Sequence, residues 1–158
     1  MSQPSQPDLR PKMSAEELHD FLVREFPQAE PEWLRVEQVS ERYVRLRALI
    51  GESDLRPGGT VSTGTLSAVA DTAMYLLTLA TIGPEPRALA SGMSVHFLRR
   101  CDKADLIVEA KLLKLGARLA VGEILIFSFG IEEVAAIATV TYSLPPHREG
   151  EPEPAHPA

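Results

Sequence analysis

Arg56-Pro57-Gly58-Gly59-Thr60-Val61-Ser62-Thr63-Gly64-Thr65-Leu66-Ser67-Ala68-Val69-Ala70-Asp71-Thr72-Ala73-Met74-Tyr75 is the stretch on which the reading of this chain turns. It begins as a glycine-rich loop and continues as a helix. Leu66, Ala68, Val69, Ala70, Ala73, Met74, Leu76, Leu77, Leu79, Ala80 and Ile82 leave that helix no wide polar face. A helix apolar almost all round is normally buried in a core. Its interruptions are small hydroxyl residues, which can bond their own backbone, and one carboxylate, Asp71. An ionised carboxylate on a buried helix is costly unless something compensates it. Asp71 is therefore the residue that needs an explanation.

Outward toward the N-terminus, Gly51 to Gly59 reads as a loop, and before it the hydrophobic period is two. Leu34 and Val36 alternate with charged neighbours. After a turn at Ser40-Glu41-Arg42, Val44, Leu46, Ala48 and Ile50 alternate with Tyr43, Arg45 and Arg47. These are two short strands, each with one wet face. Further upstream, Ser14-Ala15-Glu16-Glu17 is a capping box. Leu18, Phe21, Leu22 and Phe26 follow at helical spacing and Pro27 ends an amphipathic helix over 14–26.

Outward toward the C-terminus, the central helix ends near Gly83-Pro84 and four strands follow. Their alternating sets are Leu89, Ser91, Met93, Val95 and Phe97; Leu106, Val108, Ala110 and Leu112; Leu119, Val121, Leu125, Phe127 and Phe129; and Val134, Ala136, Ala138, Val140 and Tyr142. Turns fall at Gly116-Ala117-Arg118 and Gly130-Ile131-Glu132. The order predicts an α+β fold: an N-terminal helix, and an antiparallel sheet of about six strands wrapped around one long helix, the last four strands in a meander. Such a sheet has free edges. Edge-to-edge pairing of two copies would cover two of them, so a homodimer is expected.

With 158 residues the chain is read as one domain over 14–144. The proline-rich ends, 1–13 and 145–158, are expected to be disordered. A net charge of −6 argues against a general nucleic-acid binder. Cys101 is the sole cysteine, which rules out an internal disulfide and fits a reducing compartment. The N-terminus lacks an apolar signal core, and no apolar run is expected to reach the roughly 18–20 residues of a membrane span. A cytoplasmic protein with no membrane partner is expected. No His/Cys/Asp spacing points to a metal.

Three stretches together resemble the hotdog-fold thioesterases, and among them the PaaI-like acyl-CoA thioesterases. They are Gly58 through Gly64 leading to Ala70-Asp71-Thr72-Ala73; Ser94-Val95-His96-Phe97-Leu98-Arg99-Arg100; and Asp105-Leu106 through Leu119-Ala120, ending in Ala138-Thr139-Val140-Thr141-Tyr142. The resemblance covers residues 33–144. It implies a helix cupped by a sheet, subunits paired so that their sheets become continuous, and pairs that often stack into tetramers. It also implies active sites at the dimer interface, where a helix carboxylate of one subunit faces a glycine-rich loop of the other.

On that resemblance Asp71 is the catalytic carboxylate, acting as general base on water or as nucleophile through an anhydride. Its alternative is a satisfied buried polar residue bonded to Thr72, Tyr75 or a backbone group. The loop entering the helix is the candidate oxyanion hole, since the first helix N–H groups are unpaired. Where the family commonly has His-Gly-Gly, this chain has Ser62, Thr63 and Gly64, so the Thr63 or Gly64 amide is the expected donor and Ser62 lies beside the substrate. Ser62 and Thr63 also suit plain helix capping. Where relatives carry Asn or Gln, the nearest position is Arg56, a candidate contact for the thioester oxygen or a phosphate. Ser91, with Ser94 second, is the candidate strand hydroxyl, and Tyr75, one turn past Asp71, the candidate wall of the acyl pocket.

Residues 87–118 carry seven basic and three acidic side chains on an acidic chain. Arg99, Arg100 and Arg118 sit at strand ends or turns and are the expected phosphate contacts of coenzyme A, which enters as part of the substrate and not as a cofactor. His96 is expected to be a partly buried, hydrogen-bonded histidine rather than a base. Two readings remain after a hydratase is set aside for want of a histidine on the central helix: an acyl-CoA thioesterase, or an acyl-CoA-binding protein that regulates or carries without turnover.

Overall fold

The structure, a computed structural model, describes residues 8–29 and 31–146. The central helix α2 spans Thr63–Ile82 and is capped by Ser62, whose side chain accepts from the Thr65 N–H. From Ala73 to Thr81 every residue is buried. The two threonines in that half return their hydroxyls to the helix itself, Thr78 donating to Met74 O at 2.8 Å and Thr81 to Leu77 O at 2.7 Å. No polar atom of theirs is left to desolvate unpaired. The N-terminal half differs: Thr63, Gly64 and Ala68 are exposed and Ser67, Asp71 and Thr72 half-buried. One face of three helical turns is thus uncovered. By length and apolar composition α2 would suffice to cross a membrane, which the sequence reading did not allow for; here the sheet wraps it.

That sheet has six antiparallel strands: β1 (Leu34–Ser40), β2 (Tyr43–Ala48), β3 (Leu89–Phe97), β4 (Leu106–Leu115), β5 (Leu119–Ser128) and β6 (Ala136–Ser143), in the order β1-β2-β4-β5-β6-β3. This is the hotdog architecture expected. The meander, however, covers only β4, β5 and β6. The strand directly after α2 crosses to the far edge and pairs with β6, Phe97 opposite Ala136 and Ala90 opposite Tyr142. Hydrophobic period identifies a strand but not its neighbour.

Which face of β5 is inward also differs from the apolar set read from sequence. Ala120, Gly122, Ile124 and Ile126 face α2, whereas Val121, Leu125 and Phe127 lie half-buried on the outer face. The smaller residues win the inner face because the helix passes close: a Cβ at Gly122 would run into the Met74 sulfur and crowd Leu77. At the edge, β3 is bulged between Ala90 and Gly92. Beyond the bulge Gly92, Ser94 and His96 share one face, opposite Thr141, Thr139 and Ile137. His96 is exposed there, not partly buried as expected, because β3 is the outermost strand and none of the described residues covers it.

Helix α1 (Ala15–Glu25) has the expected capping box, with Ser14 and Glu17 each accepting from the other's N–H. It buries Leu18, Phe21 and Leu22 and lies against β1, the opposite edge strand. The expected N-terminal arm is described from Asp8 onward. There Leu9 and Met13 are buried and the Lys12 N–H donates to Ala80 O at 2.7 Å, so residues 9–13 are docked on the end of α2. Residues 1–7 of that arm, and 147–158 of the expected tail, lie outside the described residues.

Candidate active site

Asp71 stands at the boundary between the buried and the open halves of α2. It borders a cavity of about 310 Å3. Its walls come from five places: Leu22 and Phe26 at the end of α1, Pro31 and Trp33 from the turn before β1, Asp71, Thr72 and Tyr75 on α2, Pro86, Ala88 and Leu89 before and at the start of β3, and Tyr142 on β6. The lining is mostly apolar and aromatic, with hydroxyls and one carboxylate at a single side. Such a mixture suits an apolar group attached to a reactive polar one.

The partner of Asp71 is none of those expected. Thr72 donates its hydroxyl to Ala68 O at 2.9 Å. Tyr75 is buried and its hydroxyl has no partner among the described residues. Asp71 Oδ1 instead accepts a 2.6 Å hydrogen bond from the Tyr142 hydroxyl, 71 residues away. Burial, then the bond to Asp71 and its charge, hold the Tyr142 phenol well above the ordinary tyrosine range. Burial, assisted by Glu25 and Glu85, pushes Tyr75 up to about 12. Both phenols therefore keep their protons at neutral pH, and Tyr142 stays a donor.

At the other end of the open face, the loop before α2 is built by glycine. Gly58 and Gly59 have φ of 101° and 82°, which L side chains rarely adopt. They close a turn in which the Gly59 N–H donates to Arg56 O and the Arg56 N–H to Thr60 O. The Val61 N–H then donates to Cys101 O at 2.9 Å, and Thr60 bridges Asp102. This pins the segment after β3 beside the start of α2. Arg56, Thr63, Arg99 and Arg100 consequently share one cleft, floored by Leu66, Phe97 and buried Cys101. Arg99 pairs with Glu133 and Arg100 with Asp102. These are exposed pairs, weak enough to exchange for another anion.

Arg118 is not part of this group. It sits beside Leu119, in register through Ser143 with Leu89 at the start of β3, while Arg99 and Arg100 follow Phe97 at its end. Nine residues of strand put them on the order of 25 Å apart. Its Nε donates to Leu144 O at 3.3 Å. Ser91 lies in the β3 bulge, exposed, with its hydroxyl 3.4 Å from Thr141 O, and does not line the cavity; neither does Ser94. Ser62 caps α2, accepting from the Thr65 N–H at 3.1 Å. Gly64 is exposed in the first helical turn.

Thr63 and Gly64 precede Asp71 by eight and seven residues, about 10–12 Å along the helix. Within one chain the expected oxyanion donor and the carboxylate do not meet. Of the residues lining the cavity, Asp71 and Tyr75 were the sequence-predicted site residues; the aromatic side chains Phe26, Trp33 and Tyr142 are among those that sequence reasoning missed. Tyr142 alone left a signal, as the one polar side chain in a strand face otherwise made of Ala136, Ala138 and Val140.

A family model described as the thioesterase superfamily matches residues 58–135. A candidate thioesterase from Silicibacter sp. TM1040 is 38% identical, over 87% of this chain and 96% of its own, with a TM-score of 0.80. A thioesterase from Haemophilus influenzae is similar in fold at 17% identity, covering 85% of this chain and 93% of its own with a TM-score of 0.69. So is a mutant of the phenylacetic acid degradation protein PaaI from Thermus thermophilus, at 24% identity, 74% and 97% coverage and a TM-score of 0.64. No curated protein matches the chain.

Proposed function

Because the chain belongs to the thioesterase superfamily, we propose that it hydrolyses acyl-CoA thioesters at the Asp71 cavity, with the acyl group among Trp33, Tyr75 and Leu89. The observation that carries this reading is the carboxylate itself: Asp71 faces an apolar cavity with one oxygen engaged by Tyr142 and the other left for chemistry. Either that oxygen takes the proton of an attacking water, or it bonds to the acyl carbon and water cleaves the resulting anhydride. In both routes water supplies the oxygen of the product acid and the thiol leaves with a proton.

The developing oxyanion needs a donor, and the expected ones are not delivered by this chain to its own Asp71. The Thr63 and Gly64 amides lie too far along α2. The free edge of β3 supports a solution, because antiparallel pairing with a second β3 would bring another copy's helix start toward Asp71. The proposed enzyme is therefore a homodimer, its two sites completed across the interface, and the outer face of β5, where Val121, Leu125 and Phe127 flank Glu123, is where such dimers would stack. The cleft of Arg56, Arg99 and Arg100 is the proposed seat of the coenzyme's phosphates.

The test is thiol release from a panel of acyl-CoAs, short aliphatic through aromatic, by the wild type and Asp71→Asn. Loss of a general base costs on the order of 10²–10⁴ in rate. A drop of that size with fold and assembly unchanged is expected; undiminished turnover by the variant would remove Asp71 from the mechanism. A protein that binds acyl-CoA without turnover is the second reading. It is favoured by the structural tasks that Asp71 and Ser62 already perform, and it requires binding with no release by the wild type.

A further inference from the structure

We infer that Tyr142 is the positioning residue of the proposed active site, fixing which oxygen of Asp71 meets the substrate. The inference rests on the thioesterase reading above. The Tyr142 hydroxyl donates to Asp71 Oδ1 at 2.6 Å and lies 3.2 Å from the Asp71 carbonyl oxygen. It thus engages both the side chain and the backbone of one residue. A short bond to a charged acceptor is among the stronger hydrogen bonds. It stops rotation of the carboxylate and leaves Oδ2 as the oxygen not held by Tyr142.

The sheet register makes this reach possible. Tyr142 stands between Ala120 on β5 and Ala90 on β3. Those two small neighbours leave its ring free to lean across to α2, where it packs against Tyr75 with centroids 6.0 Å apart. It is 4% exposed. No neighbour on α2 duplicates the contact, since the Thr72 hydroxyl is committed to Ala68 O and the Tyr75 hydroxyl has no partner among the described residues.

A hydrogen-bond donor to a carboxylate favours its ionised form, so the Tyr142 hydroxyl, donating to Asp71 Oδ1, is the group whose removal the pH profile of the reaction would register. Among the described residues lining the cavity, the titratable side chains beside Asp71 are Tyr75 on α2 and Tyr142 on β6. Leu22 and Phe26 of α1, the Pro31–Trp33 turn and the Pro86–Leu89 segment contribute none to that lining. Glu25 and Glu85 lie within electrostatic reach of Tyr75. Both are acidic, so neither compensates for the missing hydroxyl.

Tyr142→Phe keeps the ring and removes the bond. With the acyl-CoA that the wild type turns over fastest, kcat should fall between about tenfold and a hundredfold, as for a mispositioned catalytic group, and KM should stay within about twofold. The acid limb of the kcat/KM profile should move to higher pH. 3-Fluorotyrosine at 142, a stronger donor of nearly the same shape, should move that limb to lower pH; it also serves if the phenylalanine variant fails to fold. A merely structural Tyr142 would lower thermal stability and leave the limb in place in both variants, which would overturn the inference. Asp71→Asn run alongside separates the two levels. If it is inactive while the Tyr142 variants keep the wild-type profile, only the role of Tyr142 fails. If it is as active as wild type, or the wild type releases no thiol, the thioesterase reading fails and takes the inference with it.

Discussion

At the scale of single residues, the cavity is governed by three side chains of unequal status: Asp71 with a partner, Tyr142 as that partner, and Tyr75 without one. The last has a consequence for stability. A buried hydroxyl with no partner costs free energy, so Tyr75→Phe should stabilise the free protein by about 1 kcal/mol, read as a raised urea midpoint at unchanged m-value. A destabilised variant would mean that the hydroxyl is bonded in solution. The raised phenols also make a statement about alkali. Tyr75 and Tyr142 bind their protons more tightly folded than unfolded. Their contribution is complete below the ordinary tyrosine pKa of about 10 and is lost as pH rises through the folded values. Stability should therefore decline from about pH 10 to beyond 12, and less steeply in Tyr75→Phe. Denaturant midpoints measured across that range check both the sign and the residue.

At the scale of elements, the decisive fact is that α2 is covered unequally. Its second half is enclosed by the sheet, and its first half carries the open face from Thr63 to Thr72. At Gly122 the sheet closes tightly on the enclosed half, against Met74 and Leu77. Gly122→Ala inserts a methyl where those side chains already sit. It should cost about 1–3 kcal/mol, the usual range for overpacking a core, and a neutral result in thermal or denaturant unfolding would show that Met74 yields freely. Helix α1 matters at this scale too. Leu22 and Phe26 at its end close the cavity, so the N-terminal helix is a wall of the site and not an appendage.

At the scale of the molecule, the two edges of the sheet are treated differently. Helix α1 lies over β1, while no described element pairs with the outer edge of β3. Met93 and Phe97, on the inner face of β3, are 43% and 45% exposed. Exposed apolar side chains on an unpaired edge are what a surface that pairs with another chain presents. On the proposed pairing, Met93→Lys should give a folded monomer by sedimentation and lose most thiol release although Asp71 is untouched, because the oxyanion donor is supplied by the second copy. A monomeric variant with wild-type turnover would place the whole site within one chain.

Much of this is legible in the amino-acid sequence alone. The capping box at Ser14 and Glu17, the stop at Pro27, the apolar length of α2 and the period-two strands are local signals, and local signals survive in a sequence because they reside in neighbouring residues. Asp71 was legible for the same reason: one carboxylate in an apolar helix is conspicuous. What tertiary structure alone decided is everything that joins distant residues. The crossing of β3 to the far edge, the inward face of β5, the meeting of Arg56 with Arg99 and Arg100, and the separation of Arg118 from them depend on strand order and register. So does the bond from Tyr142 to Asp71, which spans 71 positions and leaves no trace in spacing. Pairing across a sheet is set by packing against the helix, and packing is a property of the assembled core.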